Sequence, residues 1–229
     1  ANGIASKELV IAVGNAGMMG FFGTGGLGLD RVEQDIIAIK EALSDKPYGM
    51  NLLHSPESPE TEEKYVDLYM RHGVAHVEAA AFMQMTPALV KYRLAGLYKK
   101  ESGETGARNK IMGKVSRPEI AEAFYSPAPE RIVKKLLDAG KVTGEQAELS
   151  ENIPMADSLC VEADSGGHTD QGVAYAIMPA ILNLRTEMAD KYGYKKKIFT
   201  GAAGGVTLAG LHGVLNGKRT GSGYGALAD

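Results

Sequence analysis

Tryptophan is absent from this 229-residue chain, cysteine occurs once, and neither charge sign dominates, the formal net charge being −3. The lack of a basic stripe argues against nucleic acid as the main partner. A lone cysteine, Cys160, excludes an internal disulfide and makes a reducing, cytoplasmic setting the default expectation. No apolar run approaches the ~20 residues that a membrane-spanning helix needs. The first residues carry no charged-then-apolar signal segment. What is present is the composition of an ordinary globular domain, 44% hydrophobic and 23% charged. The length suits one well-packed unit. Glycine is abundant at 29 residues and falls largely in clusters, as tight turns or close backbone approach to a ligand require.

Short apolar runs alternate with amphipathic stretches. Strands are expected at 17–23, 48–53, 74–82, 110–116, 158–163 and 197–203. Helix starts are marked by Ser6 as N-cap, by Asp30 with Glu33 as a capping box, and by Ser58-Pro59-Glu60 with proline in the first turn. The alternation implies βαβ units and a parallel sheet, and near-continuous apolar strands suggest a sheet covered on both faces. Periodicity does not choose between an open doubly wound sheet and a (β/α)8 barrel. Residues 118–156 are too long for one crossover helix. Pro127, Pro129 and Thr143 with Gln146 divide them into several short helices, serving as structural elaboration or as a substrate lid.

The most informative stretch is CVEADSGGHTD, residues 160–170. A strand runs into a Gly-Gly turn, which lets backbone approach a flat or phosphorylated ligand, and the turn then presents His168. This stretch resembles the nitronate monooxygenase family of FMN-binding TIM barrels, whose members carry Glu-Ala-Gly-Gly-His after the sixth barrel strand. The matching residues here are Asp164-Ser165-Gly166-Gly167-His168. The longer form VEADSGGHTD is similar to one subgroup, the enoyl reductases of trans-acyltransferase polyketide synthases and polyunsaturated fatty acid synthases. Four further stretches agree in order: residues 1–27, YGMNLLHSP, NKIMGKVSRPEIA and TGAAGG.

The resemblance implies a (β/α)8 TIM barrel over residues 1–229, with a helical insertion at 118–156 after barrel strand five. It also implies non-covalent FMN, held by Asn51, Lys114, Gly166 and Gly167. A phosphate loop would be formed by Gly201, Ala203, Gly204 and Gly205, joined by Gly221 and Ser222. Backbone N–H groups in such a loop suit a phosphate. The implied reaction reduces an enoyl thioester on an acyl carrier protein, with NAD(P)H reducing the flavin. His168 gives the proton to the α-carbon, a task suited to a group titrating near neutral pH. The chain is compatible with a homo-oligomer.

Two readings stay open beside this one: a nitronate monooxygenase with the same histidine as base, and a non-catalytic barrel remnant or docking module. The ends depart from the family pattern. Ala1-Asn2-Gly3 stands where the loop after the first strand ends, and Thr220 follows Gly205 by only fifteen positions, too few for a crossover and an eighth strand. A closed barrel is therefore expected to need material beyond these residues or a discontinuity between Gly205 and Gly221. Residues 87–100 are expected to form one helix whose Lys91, Arg93, Lys99 and Lys100 either dock an acidic carrier or make a solvated basic face. Among the other histidines, His72 is expected to end a helix, His76 to lie in a strand, and His54 to pack or to face the site.

Overall fold

The computed structural model describes residues 4–162, 174–203 and 227–228. The chain opens with helix α1 (Lys7–Asn15), β1 (Phe21–Phe22), α2 (Leu29–Leu43), β2 (Gly49–Leu53), α3 (Pro59–Arg71), β3 (His76–Ala80) and α4 (Pro87–Ala95). A hairpin of β4 (Leu97–Lys99) and β5 (Thr105–Ala107) precedes β6 (Lys110–Val115). Then come α5 (Pro118–Tyr125), α6 (Glu130–Asp138), α7 (Gly144–Ser150), β7 (Ser158–Glu162), α8 (Ala174–Tyr192), β8 (Phe199–Ala203) and β9 (Leu227–Ala228). All six expected strands form. Among the described residues no helix is long and apolar enough to cross a membrane.

The main sheet runs β1-β2-β3-β6-β7-β8-β9; the first six are parallel, and β9 pairs antiparallel to β8. Strand order follows chain order without reversal. A doubly wound sheet reverses its order and carries helices on both faces, so the winding is that of a (β/α) barrel.

Burial alternates along the strands, which corrects the expectation of continuously apolar strands covered on both faces. On one face Met50, Leu52, Val77, Ala79, Ile111, Val115, Leu159 and Val161 are buried with Ile36, Val66, Tyr69, Leu89 and Tyr92 of the helices. Burying each large apolar side chain stabilises by about 1.5–3 kcal/mol. The opposite face carries Asn51, Glu78, Met112, Lys114, Cys160 and Glu162, each only half-buried. Gly113 shows how closely the helix layer sits: a Cβ there would lie 2.9 Å from the Phe124 ring of α5.

Local signals held where the chain could satisfy them alone. Ser6 Oγ accepts from Leu9 N at 3.3 Å. Thr143 and Gln146 form a full capping box. Asp30 and Glu33 do not form one; α2 starts from Gly28 without a side-chain cap. Glu33 is drawn instead to His72 Nε2 at 2.7 Å and Arg71 at 3.0 Å, a tertiary contact that outcompetes the local one.

The helix expected over 87–100 stops at Ala95, and the chain turns into the β4–β5 hairpin. Gly96 permits this turn, since a Cβ would lie 2.5 Å from Asn109 N. The 118–156 segment does form three short helices. Ala156 N bonds Phe124 O and Asp157 N bonds Ile111 O, so the segment rejoins the sheet where the strands begin. Its helices α6 and α7 pack beside α4.

Candidate active site

The half-buried face gathers a polar row near the C-terminal ends of four adjacent parallel strands. Asn51 on β2 sits in register with Glu78 on β3 and donates from Nδ2 to Glu78 Oε1 at 3.2 Å. Lys114 on β6 reaches the same oxygen at 3.1 Å and Glu162 Oε1 on β7 at 2.8 Å. Strand periodicity of two makes this possible: register pairs Glu78 with Met112 and Lys114 with Cys160, so residues two further along share the face. The next strand, β8, sets Gly201 beside Cys160 and Ala203 beside Glu162.

The row holds two carboxylates and one ammonium, so one negative charge is left over. Burial works against the Lys114 ammonium, but Glu78 and Glu162 outweigh it and raise its pKa above the ordinary lysine value. Lys114 is therefore a fixed cation held between two carboxylates. Its side chain is 26% exposed and each carboxylate 15%. Cys160 is pushed up to about 12, by burial first and by Glu162 next, so its thiol stays protonated at neutral pH. The backbone under the row is braced: Asn51 O accepts from Thr24 Oγ1 at 2.9 Å and from Tyr69 OH at 2.7 Å.

Of the residues singled out in the sequence, the structure brings together Asn51, Lys114, Gly201 and Ala203. His168, Gly166, Gly167, Gly204, Gly205, Gly221 and Ser222 lie outside the described residues. Glu78 and Glu162 escaped the sequence reading. Each is a charged residue at an inward position of an otherwise apolar strand, and that pattern was the available signal.

His54 follows β2 but is engaged in packing. Its Nδ1 meets Glu62 Oε2 at 3.1 Å, its ring stacks on Phe82 with centroids 5.0 Å apart, and Glu62 also accepts from Thr86 Oγ1. His72 caps α3, and His76 lies on β3 with its pKa lowered by burial. Two of the four docking cations are committed within the fold. Lys91 bonds Asp67 at 2.5 Å, and its side chain is 11% exposed. Arg93 is 3% exposed and donates to Asp157 at 2.6 Å, Asn109 O at 3.0 Å and Pro154 O at 2.9 Å. Neither is a free basic handle, because buried charges are tolerated only when paired.

The sequence pattern of the nitronate monooxygenase family matches residues 1–205. The polyketide biosynthesis protein PksE of Bacillus subtilis is 55% identical over 205 residues, covering 89% of this chain and 27% of PksE. The polyketide biosynthesis protein ThaF of Burkholderia thailandensis is 49% identical over 206 residues, 90% of this chain and 18% of that protein. The chain thus spans well under half the length of these relatives. Among solved structures, the enoyl reductase domain of MlnA, from the macrolactin cluster of Bacillus amyloliquefaciens, aligns with a TM-score of 0.85 at 42% identity. The alignment covers 89% of this chain and 46% of that one. FabK from Thermotoga maritima shares the fold, with a TM-score of 0.54 at 17% identity; 96% of this chain and 53% of that one are covered. With most of its length matched, the parallel winding in place and the polar row at the strand ends, the chain belongs to the nitronate monooxygenase family of TIM-barrel proteins.

Proposed function

We propose that this chain is the FMN-binding barrel of an oxidoreductase, an enoyl reductase acting on α,β-unsaturated thioesters of an acyl carrier protein, with NAD(P)H as reductant. The observation that carries the reading is the Asn51–Glu78–Lys114–Glu162 row. It lies near the C-terminal strand ends, where barrel enzymes keep their chemistry, in a chain 42% identical to the enoyl reductase domain of MlnA. The row fits a flavin: Lys114 and Asn51 are polar donors on a half-buried face, and Gly201 and Ala203 of β8 stand in register beside it. Lys114 and Asn51 would hold the ring. Gly201, Ala203, Gly204 and Gly205, with Gly166, Gly167, Gly221 and Ser222, would make the backbone cradle for ring and phosphate. FMN would supply the hydride chemistry.

This chain's own part is position, charge and one proton. The two carboxylates keep Lys114 charged and in place, so its remaining N–H is directed rather than mobile. His168 gives a proton at the substrate α-carbon, since imidazole is the side chain best matched to proton transfer near neutral pH.

The test is direct. The purified protein is expected to show a flavin absorption spectrum and to consume NAD(P)H with a crotonyl thioester. Turnover of a nitroalkane without the thioester reaction would make it a nitronate monooxygenase, and a colourless protein that takes up no FMN would leave a non-catalytic barrel.

A further inference from the structure

The foot of the sheet, where the strands begin, holds a cavity of about 510 Å³ that the reaction above does not use. Three segments wall it: the β4–β5 hairpin, residues 148–157 leading into β7, and residues 192–198 leading into β8. It opens at the opposite end of the strands from the Lys114 row. Seven of its lining residues are Lys or Arg and three are Asp or Glu, a local excess of four positive charges in a chain whose net charge is −3.

Two of the three acids are already taken. Asp157 is held by Arg93 at 2.6 Å and faces Lys110 at 3.5 Å, and Glu104 meets Lys100 at 3.2 Å. Lys99, Lys195 and Lys196 stand exposed along the rim. Burial lowers the Lys110 pKa; Asp157 opposes this, while Lys196 and Arg93 add to it, so the cations here repel one another. Aromatic rings complete the wall: Tyr98 on the hairpin, with the Arg108 guanidinium 4.9 Å from its centroid, and Tyr192, stacked on Tyr194 with centroids 5.5 Å apart and with Lys191 Nζ 5.1 Å from its centroid, so that a stacked base displaces these two cations.

We propose that this cavity binds a nucleoside phosphate, with its planar base against the tyrosine rings and its phosphates on the lysines of the rim. The volume lies within the range of small-ligand pockets, about 300–1,000 Å³. Enclosure on three sides suits a compact ligand better than an extended acidic chain. Aromatic faces accept a base of any identity by stacking, and clustered lysines serve phosphate as point charges. A ligand bound here sits apart from the Lys114 row, so the proposal stands or falls independently of the flavin reading.

Titration of ADP into the full-length protein should give saturable binding with a Kd below about 1 mM. Binding should weaken as salt rises, because the contacts are at a screened rim. Lys195→Glu with Lys196→Glu should weaken ADP at least about tenfold, equivalent to about 1.4 kcal/mol. Both residues are exposed, so the variant keeps its fold, which circular dichroism will verify. Tyr192→Ala should weaken ADP but leave inorganic pyrophosphate unchanged, separating recognition of the base from that of the phosphates. The proposal is overturned if ADP shows no saturable binding or if charge reversal leaves its affinity intact. Pyrophosphate binding as tightly as ADP would overturn the nucleoside part and leave a site for free phosphate. Displacement of ADP by hexaglutamate at lower concentration than by unlabelled nucleotide would identify an acidic polypeptide as the occupant and equally overturn it.

Discussion

The two ends of the sheet solve opposite electrostatic problems with the same residue types. At the C-terminal ends one lysine is shared by two carboxylates, Lys114 with Glu78 and Glu162, so positive charge is scarce and fixed. At the foot Asp157 is shared by two cations, Arg93 and Lys110, and further lysines surround them. The first arrangement holds a donor still for a bound group. The second leaves positive potential for an incoming anion. Net charge is silent about both, since local excesses cancel over the chain.

The largest effect expected at the mouth is chemical. Under the enoyl reductase reading, His168→Ala should lower turnover by roughly 100- to 10,000-fold, the usual range for a lost general acid, with flavin content unchanged. Steady-state rates alongside the flavin absorbance decide it, and full activity would assign proton delivery to another donor.

At the foot the largest effect is on folding. Arg93→Met removes one partner of a buried pair and strands Asp157, which should cost about 3–5 kcal/mol in urea unfolding. Carrier docking by Arg93 would instead show unchanged stability and a raised KM. The Asp157 carboxyl is also a pH probe. Burial favours its protonated form, but Arg93 and Lys110 outweigh that and hold its pKa below the ordinary value. Its contribution is therefore complete above the unfolded pKa of about 3.9 and fades as pH falls through the lower folded value. The stability gap between wild type and Asp157→Asn should close only in that acid window.

Lys114→Met at the mouth should destabilise less, by about 1–3 kcal/mol, because the row is partly open to water. Its sign with pH is the reverse. The folded pKa is raised, so the stabilisation is full below the unfolded value of about 10.4 and is lost as pH climbs through the folded one. Denaturation of both proteins between neutral and strongly alkaline pH measures this, and a gap that stays constant would mean the carboxylates do not set the lysine's charge.

The smallest effect concerns strain at the end of β3. Ala81 has φ of 61°, a left-handed conformation that costs an L-residue about 1–2 kcal/mol. Ala81→Gly removes that strain but adds entropy to the unfolded chain, so stability should rise by no more than about 1 kcal/mol. A loss of stability would show that the Ala81 methyl contributes packing that outweighs the strain.

Much of this was legible along the chain. The six strands lie where apolar runs are bounded by Gly, Pro and polar clusters, and Ser6 and Thr143 cap helices through neighbours three residues away. Those features depend on local groups, which a linear reading contains. The Asp30–Glu33 capping box failed for the same reason in reverse. Glu33 found His72, thirty-nine positions on, and a contact of that separation exists only after folding.

By itself the sequence determined the strand and helix alternation, the family through the order of its motifs, and, through those motifs, Lys114 and Asn51 as candidate site residues. Periodicity left single and double winding open; the family resemblance implied the barrel, and the strand order bears that out, because strand neighbours are set by crossover geometry. Tertiary structure alone decided that Lys114 is clamped, because Glu78 and Glu162 lie 36 and 48 residues away and meet it only through parallel register. It also decided that Arg93 is a buried anchor while Lys99 and Lys100 line a cavity. The basic run from Lys91 to Lys100 looks uniform in one dimension. Gly96 ends its helix and turns the last two lysines onto a hairpin, and burial, which depends on the whole fold, then separates the cations that hold the core from those exposed at the surface.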